Sequence, residues 1–353
     1  MNKYVKRYCI DAMSGMAQGL FASLLIGTII KTLGQQLLRL GTNPVFQFLV
    51  DAGNFATNSS VVGAAMAVGI GFAMSVPALV LFSLAAVGSA ANITGGAGGP
   101  LAVLFIAVIA AECGRFVSKK TKVDIIVTPA ITILAGALLT VLTAKYIGTA
   151  ASSVGKFLLW TTNLHPFWMG ILVSVVVGIA LTLPISSAAI CAAFGLTGLA
   201  GGAAVAGCCA QMVGFAVLSF RENRWGGILS QGLGTSMLQM PNIVKNPKIW
   251  IPPILASAIT GPLATCLFKM EMNGAAVSSG MGTCGFVGQI GVITGWFEPS
   301  EVAISHGASA IMPDLLDWAG LVLICFVLPG ILSWAFGSIL RKAGWIKEGD
   351  LSL

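Results

Sequence analysis

The side chains best able to bind a polar solute lie beside long apolar stretches of this chain. Glu271 stands at the start of an uncharged, glycine-rich run that extends to Glu298, and Asn273 is the second residue of that run. A carboxylate in an apolar membrane segment is costly and usually faces a cavity or a partner. We therefore expect Glu271, with Asn273 beside it, to contact a bound solute; an ordinary loop position is the alternative.

Neutral amides form a second group of candidates within or beside apolar stretches. An amide both donates and accepts hydrogen bonds, which suits the adjacent hydroxyl groups of a sugar or polyol. A cation site would require more carboxylates. Hydrogen bonding between helices is the alternative for each amide. The group comprises Gln211, Gln231, Gln239, Asn242 and Gln289.

The strongest structural signal is a polar break inside an apolar run of membrane length. Between Lys156 and Arg221 lie 64 residues without a charged side chain, interrupted near the middle by Pro184-Ile-Ser-Ser187. Such a break leaves backbone groups unpaired, which lipid cannot satisfy, so it must face protein or a water-filled cavity. Similar breaks at residues 89–100 and 278–285 predict several discontinuous or re-entrant helices.

These breaks also supply candidate solute contacts. Glycines within them expose backbone N–H and carbonyl groups to a polar solute. Close packing of helices is the alternative use of the same glycines. The expected contacts from the breaks are Ser186, Ser187, Gly280, Gly282 and Thr283.

The two histidines are ambiguous. His165 follows Asn163 and directly precedes Pro166, which suits the first turn of a helix. Asn163 and His165 either flank that helix at the membrane interface or bind the solute, and both are kept as solute-binding candidates. His306 leaves the same two possibilities open.

Composition places the chain among polytopic membrane proteins. Hydrophobic residues make up 56% and charged residues 9% of its 353 residues, and the mean hydropathy is +0.93. A soluble domain carries about 25% charged residues. The sequence predicts an all-α transmembrane protein with a single domain, residues 1–353, and about ten membrane segments, several of them broken or re-entrant.

No residue pattern indicates covalent catalysis or a metal centre. The eight cysteines lack metal-ligand spacing, and their position in apolar spans favours buried small residues. No exposed nucleophile is accompanied by a base of its own. We therefore expect no catalytic residue, no metal and no cofactor in this chain.

The net charge of +7 is a topology signal rather than a nucleic-acid surface, because the cations lie in short loops beside apolar spans. Basic clusters at residues 3–7, 115–122 and 341–347 favour the cytoplasm, so both termini are predicted to be cytoplasmic. Arg221, Glu222 and Arg224 form a candidate docking surface for a cytoplasmic partner, and a solvated loop is the alternative.

A series of short segments in fixed order resembles the EIIC-type membrane proteins of the bacterial phosphotransferase system. More narrowly, it is similar to the branch that includes the perfringolysin regulator membrane proteins. The Gly-Ile-Thr-Glu motif of the glucose-class permeases is not found. The segments are Leu181-Thr-Leu-Pro-Ile-Ser-Ser-Ala-Ala189, Gln211-Met-Val-Gly-Phe215, Ser219-Phe-Arg-Glu-Asn223, Gly232-Leu-Gly-Thr-Ser-Met-Leu-Gln239, Pro241-Asn242, Trp250-Ile-Pro-Pro253 and Gly280-Met-Gly-Thr283.

The resemblance implies a sugar permease of the bacterial cell membrane, often a homodimer, that works with a cytoplasmic EIIB phosphocarrier. We therefore expect a subunit that moves a neutral sugar-like solute through the bilayer by alternating access, while the separate partner carries the phosphoryl group. Two alternatives stay open at this point. One is an ion-coupled secondary transporter, and the other is a membrane sensor or regulator that transports nothing.

Overall fold

The computed structural model describes residue 4 and residues 6–353, so Lys3, one of the cations used to predict topology, lies outside the described part. Within that part the chain is helical, and its one isolated β-bridge joins Gly198 to Met272. The all-α prediction is confirmed. The chain divides into two compact units, Met1–Ala151 and Ser152–Leu353. The assignment of the chain to a single domain stays a prediction.

The first unit begins with a helical hairpin whose two arms run antiparallel. One arm joins helices α1 and α2 through a π-helical turn, and the other joins α3 and α4 at a 55° bend. Asn43 caps α3 and Asn58 caps α4, each accepting a backbone N–H with its side chain. The bounds are α1 Ala12–Leu20, α2 Ile26–Leu40, α3 Pro44–Thr57 and α4 Ser59–Ala73.

Glycine allows these two arms to pack backbone against backbone. Gly15 lies against Gly69, and a Cβ atom on either residue would collide with the carbonyl of the other. One turn along, Gly19 faces Ala65 in the same way. Small residues at such spacing let membrane helices approach closely, where van der Waals packing replaces the hydrophobic effect. Close helix packing of this kind is the alternative role stated above for the glycines in the predicted breaks.

The rest of the first unit contains a second hairpin and a long helical stretch beside it. Helix α5 (Ala78–Gly95) and helix α6 (Gly99–Val117) are separated by a 3₁₀ turn, Gly96–Gly98, in which Gly96 has a φ of +52°. Gly114, near the end of α6, lies against Val80, near the start of α5; a Cβ atom on Gly114 would be 3.0 Å from the Val80 side chain. The two helices are therefore antiparallel, and the chain reverses at Gly96–Gly98. Helices α7 (Asp124–Leu139) and α8 (Lys145–Thr161) follow, and the division between the two units falls within α8.

The second unit contains two of the three breaks that the sequence predicted, at residues 184–187 and 278–285. Its helices are interrupted by π-helical turns at residues 228–234, 263–267 and 323–327, and by 3₁₀ turns at residues 236–239, 247–250, 276–280 and 284–286. The helices are α9 Pro166–Thr182, α10 Ser187–Ala193, α11 Gly198–Leu218, α12 Phe220–Gly227, α13 Met240–Lys245, α14 Ile251–Pro262, α15 Val287–Phe297, α16 Glu301–Ser305, α17 Leu315–Val322 and α18 Leu328–Lys342.

Helix α11 is the centre of the second unit. It is rich in glycine and alanine, and 89% of its most apolar 18-residue stretch is buried inside the protein. Gly207 packs against the backbone of Ser174 in α9, where a side chain would not fit. Val205 and Cys209 enter a core that also contains Met272 and Trp296. Since protein surrounds α11, its polar groups contact other helices rather than lipid.

The number of membrane crossings loosely matches the expected ten. Among the described residues, six helical stretches are long and apolar enough to span a bilayer, and the bent α3–α4 pair makes seven. One of the six, Ala78–Val117, contains the chain reversal at Gly96–Gly98 and therefore contributes two antiparallel helices. Two shorter apolar helical segments, Pro166–Thr182 and Cys284–Phe297, fall below the length of a full span.

The last residues of the chain are held by buried amides. The carbonyl of Leu351 accepts hydrogen bonds from Asn223 Nδ2 at 2.8 Å and from Gln239 Nε2 at 2.9 Å. Asn242 Nδ2 donates to the carbonyl of Ser352 at 2.8 Å. The Leu351 side chain is completely buried, whereas Leu353 is 52% exposed. The tail is therefore an integral part of the second unit.

We predict that Leu351→Ala lowers the free energy of unfolding, because it leaves a cavity where a buried leucine packed; such losses are about 2 to 5 kcal/mol. Thermal unfolding of the detergent-solubilised protein measures the effect. The matched control is Leu353→Ala, which removes an exposed leucine two residues away. Equal melting temperatures for the two variants would show that the tail is not packed as described.

Candidate functional site

Two broken segments form the centre of the candidate site. In the first, α9 ends at Thr182, residues 183–186 are irregular, and α10 adds only seven residues before the chain turns again at Phe194–Thr197. Ser186 caps α10 by accepting the N–H of Ala189 at 3.2 Å. Gly195 has a φ of +60° and Gly198 a φ of +65°, which glycine adopts without steric cost.

The second broken segment joins α14 to α15. After a π-helical turn the chain is irregular from Phe268 to Ala275, forms short 3₁₀ turns, and turns at Gly282 and Gly285. Both of these glycines have a φ of +51°. A Cβ atom on Gly282 would also collide with Cys208 of α11. Left-handed backbone and close approach thus both require glycine at Gly282.

The two broken segments satisfy each other's backbone groups. Ser187 Oγ donates to the carbonyl of Gly280 at 2.7 Å, and Ser279 Oγ donates to the carbonyl of Leu196 at 2.6 Å. The N–H of Gly198 donates to the carbonyl of Met272 at 3.1 Å, and the N–H of Met272 returns a bond at 3.0 Å. Irregular backbone is therefore paired with irregular backbone inside the protein, as a bilayer requires.

The bridge between Gly198 and Met272 positions the candidate carboxylate. Glu271 and Asn273 flank Met272, so the bridge holds both of them beside the start of α11. Gly202 makes this approach possible, because a Cβ atom there would collide with the carbonyl of Met270. Side chains of an extended segment alternate, and accordingly Met272 is buried in the core while Glu271 is exposed.

A cavity of about 520 Å³ lies at this junction. Its walls come from the α8–α9 connection and the start of α9, the α10–α11 turn, the extended segment at Glu271, and the end of α16. Polar side chains line it together with Phe194 and several glycine backbones. The polar lining residues are Thr162, Thr197, Glu271, Asn273 and His306.

Two polar pairs face this cavity. Asn273 Nδ2 donates to Glu271 Oε2 at 2.8 Å, while Asn273 Oδ1 is buried and has no hydrogen-bond partner. On the neighbouring wall, Thr197 Oγ1 and His306 Nδ1 lie 3.2 Å apart. Asn273 and Thr197 are buried, whereas Glu271 and His306 are exposed. An unsatisfied buried acceptor is costly, and a ligand hydroxyl would satisfy it.

The start of α11 supplies donors to the same cavity. Leu199 and Ala200 line the cavity within the first turn of the helix. N–H groups in a first helical turn have no intrahelical acceptor, and the helix dipole adds positive potential there. The cavity therefore combines backbone donors with carboxylate, amide, hydroxyl and imidazole groups. This set suits a ligand with several hydroxyl groups.

The predicted serine, glycine and threonine contacts lie in the junction rather than on the cavity wall. Ser186 caps α10, and Ser187 donates to the carbonyl of Gly280, as described above. Thr283 Oγ1 donates to the carbonyl of Gly232 and approaches Met212 Sδ to 3.6 Å. All of these groups act between protein segments, and their solute-binding role stays a prediction.

The predicted glutamine contacts also lie between protein segments rather than on the cavity wall. Gln211 Oε1 accepts from Trp250 Nε1 at 2.9 Å and from Thr182 Oγ1 at 3.3 Å, joining three segments in the interior. Gln239 holds the C-terminal tail. Gln289 Nε2 lies 3.2 Å from Cys209 Sγ, and its Oε1 atom is buried without a partner. Gln211 and Gln239 thus contact other protein segments, and the solute-binding role of Gln211, Gln239 and Gln289 stays a prediction.

Asn163 and His165 lie next to the cavity wall but do not line it. Both are exposed, and His165 Nδ1 accepts the N–H of Phe167 at 3.4 Å, so this histidine caps α9. Their neighbours Thr162 and Leu164 reach the cavity instead. Because side-chain direction in a loop depends on the turn itself, sequence could place this loop near the cavity without selecting the residues that face it.

Sequence patterns do not single out Thr197, and they leave two roles open for His306. Both residues line the same cavity as Glu271 and Asn273, because the bridge at Gly198 and the bonds of Ser300 to Asn273 and Gly274 bring three segments together. The one available signal was the pair of glycines, Gly195 and Gly198, that surrounds Thr197. These two glycines form turns at the cavity, whereas Gly202 and Gly207 serve close packing.

The candidate docking residues differ in exposure. Glu222 is only 6% exposed at its side chain, and its Oε1 atom accepts from Arg341 at 2.8 Å. Arg221 and Arg224 are exposed. Arg224 has a φ of +51°, a left-handed conformation that interrupts the helix at this point. Glu222 therefore has an internal role, and the two arginines are the parts of this surface available to a partner.

Comparison with known protein families identifies the architecture. The family model described as phosphotransferase system, EIIC, matches residues 10–353. The chain belongs to this EIIC family. No match was found among curated proteins or among solved structures.

The EIIC assignment makes this chain a multi-pass membrane protein and a sugar-permease subunit of a phosphotransferase system. A sugar substrate and an EIIB partner are implied with it. The match is to the family as a whole, so the perfringolysin regulator branch stays a prediction. Homodimer formation and the cytoplasmic position of the termini stay predictions as well.

We predict that Gly202→Ala displaces the segment carrying Glu271, because the new methyl group would collide with the Met270 carbonyl; overpacking of this kind costs about 1 to 3 kcal/mol. Hydrogen exchange of the peptide spanning residues 268–275 measures the effect, and we expect faster exchange at Met272. Gly226→Ala is the control, since nothing lies within 4 Å of a Cβ atom there. Unchanged exchange in Gly202→Ala would contradict the positioning role.

Proposed function

We propose that this EIIC subunit binds a neutral sugar in the cavity at Glu271 and Asn273 and moves it across the bilayer by alternating access. The observation that carries the proposal is the cavity between two broken segments, with a buried unpartnered amide oxygen among several hydroxyl-binding groups. Broken helices that meet around a solute are a recurrent transporter design.

Each polar group has a distinct role in this proposal. Glu271 is exposed to the cavity and accepts hydrogen bonds from sugar hydroxyls, while Asn273 fixes the carboxylate through its 2.8 Å bond and presents its free Oδ1 atom. Thr197 and His306 contact a second edge of the sugar. Phe194 supplies an apolar wall for a sugar ring face.

A neutral solute is favoured over an ion by the charges that line the cavity. Glu271 is its only carboxylate among the described residues. A cation site of hard oxygen ligands would require more carboxylates or several inward carbonyl groups. An anionic solute would be repelled by Glu271. A sugar accepts and donates through hydroxyl groups and so matches the mixed lining without a charge of its own.

The position of the cavity along α11 suggests the direction of entry. The cavity lies at the first residues of α11, whereas Arg221, Arg224 and Arg341 lie at or beyond its last residues. With 21 residues, α11 is long enough to cross the bilayer. Basic residues favour the cytoplasmic side. We therefore place the cavity opening on the opposite, external side, where a sugar would enter.

The phosphocarrier would act at the cytoplasmic end of α11. Arg224 is exposed there and lies outside the groove formed by its neighbours. An exposed arginine can pair with an acidic surface of the EIIB partner and chiefly accelerate association. The chain itself then needs no nucleophile for phosphoryl transfer. Of the predicted docking residues, we therefore retain Arg224, because Arg221 lines the groove.

We predict that Glu271→Gln lowers sugar uptake about 10- to 100-fold, since hydrogen bonds to a charged group are worth about 1.5 to 3 kcal/mol. Uptake of labelled sugars is measured in membrane vesicles supplied with phosphoenolpyruvate and the phosphotransferase proteins. Glu301→Gln is the control because Glu301 is an exposed carboxylate outside the cavity lining.

The same vesicles separate the proposal from its rivals. Uptake that persists without phosphoenolpyruvate but follows an ion gradient would identify a secondary transporter. Binding without uptake under either condition would identify a sensor. Full activity of Glu271→Gln with the correct coupling would leave the EIIC function intact and remove the carboxylate from the site.

We also predict that sugar protects a cysteine placed in the cavity. Thr162→Cys should react with a hydrophilic thiol reagent, and a bound sugar should slow that reaction in a saturable manner. Mass spectrometry of the peptide containing residue 162 measures the modification in purified protein, and a sugar panel identifies the ligand. Thr121→Cys, in an exposed loop outside the cavity, is the control. Uptake of a sugar that never protects residue 162 would contradict the proposed site.

A further inference from the structure

A second hollow in the chain lies where two membrane helices end. This groove has a volume of about 300 Å³ and is lined by Val217 and Leu218 at the end of α11 and by Trp334 and Arg341 of α18. Helix α11 and the stretch Leu315–Lys342 are both apolar enough to span a bilayer. The groove therefore lies at the depth where hydrocarbon gives way to lipid headgroups.

The polar end of the groove carries a fixed positive charge. Arg341 Nη2 donates to Glu222 Oε1 at 2.8 Å and to the carbonyl of Leu218 at 3.2 Å, so its guanidinium is held in place. Arg221 also lines the groove, is exposed, and forms no ion pair within the described residues. Two arginines and one carboxylate leave one net positive charge, which is complementary to a phosphate diester.

The helix face that continues from the groove is apolar. Ile331, Trp334, Ser338 and Arg341 recur at spacings of three and four residues, so they share one face of α18. Ile331 is 56% and Trp334 59% exposed. From Arg341 to Ile331 the helix advances about 15 Å, at about 1.5 Å per residue. The face is thus charged at one end and apolar along the rest, as a phospholipid is.

Aromatic side chains at the mouth of the groove fit the same depth. Trp225 is 72% exposed, and its ring meets the ring of Phe220 edge-on at 5.6 Å between centroids. Indole groups favour the headgroup region, where an apolar body and a polar N–H are both accommodated. Trp225 and Trp334 therefore place two indole groups in the lining of a headgroup-level site.

We propose that this groove binds one molecule of an anionic glycerophospholipid, of the phosphatidylglycerol type. Arg221 and Arg341 hold the phosphate, and an acyl chain follows Trp334 and Ile331 along α18. Basic pockets between membrane helices are suited to anionic lipid headgroups. The inference is independent of which solute the cavity binds.

Native mass spectrometry of purified, delipidated protein tests the site. The protein is offered phosphatidylglycerol and phosphatidylethanolamine of identical acyl chains in equal amounts. We expect one retained phosphatidylglycerol per chain and an approximately fivefold weaker retention in Arg221→Gln, the loss expected for about one basic contact at an anionic surface. Arg224→Gln removes an exposed arginine outside the groove lining and should retain lipid as the unaltered protein does.

Three outcomes would overturn the proposal. Equal retention of the two lipids would remove the charge argument, and equal losses in Arg221→Gln and Arg224→Gln would remove the groove. Retention of a second protein chain in place of lipid would identify the face as a protein interface. Both arginines are exposed, so we expect both variants to fold. Their melting temperatures in detergent check this.

Discussion

Backbone hydrogen bonding in a medium without water is the constraint on which this structure depends. A bilayer offers no partner for an exposed N–H or carbonyl group, so irregular backbone survives there only inside protein or along a hydrated cavity. The second unit meets this requirement by pairing its two broken segments. Ser187 with Gly280, Ser279 with Leu196, and Gly198 with Met272 replace the bonds that the missing helical turns would have made.

The same pairing creates the cavity. Because the bridge at Gly198 holds Met272 against the start of α11, the residues on either side of it, Glu271 and Asn273, border the cavity. Met272 itself is buried in the core. Gly202 is the local requirement for this arrangement, since any side chain there would separate the extended segment from α11. The site is a consequence of how the breaks are satisfied.

Polar residues in the second unit separate into two groups with different physical roles. Gln211 and Gln239 have both ends of their amides engaged by other segments, and they fix helices, turns and the C-terminal tail in one arrangement. Asn273 keeps one buried oxygen without a partner at the cavity. Buried polar groups that are satisfied within the protein stabilise the fold, whereas an unsatisfied one beside a cavity is available to a ligand.

The sequence by itself determined the membrane class, the helical fold and the position of the breaks. Low charge, apolar runs of spanning length, and Pro-Ser-Ser or glycine interruptions are local properties that act whatever the chain packs against. It also singled out Glu271, through its position before a broken run. Only the tertiary structure decided which polar groups border the cavity. Thr197 and His306 meet Glu271 through contacts between distant segments, and no local pattern encodes which amide will find its partners inside the protein.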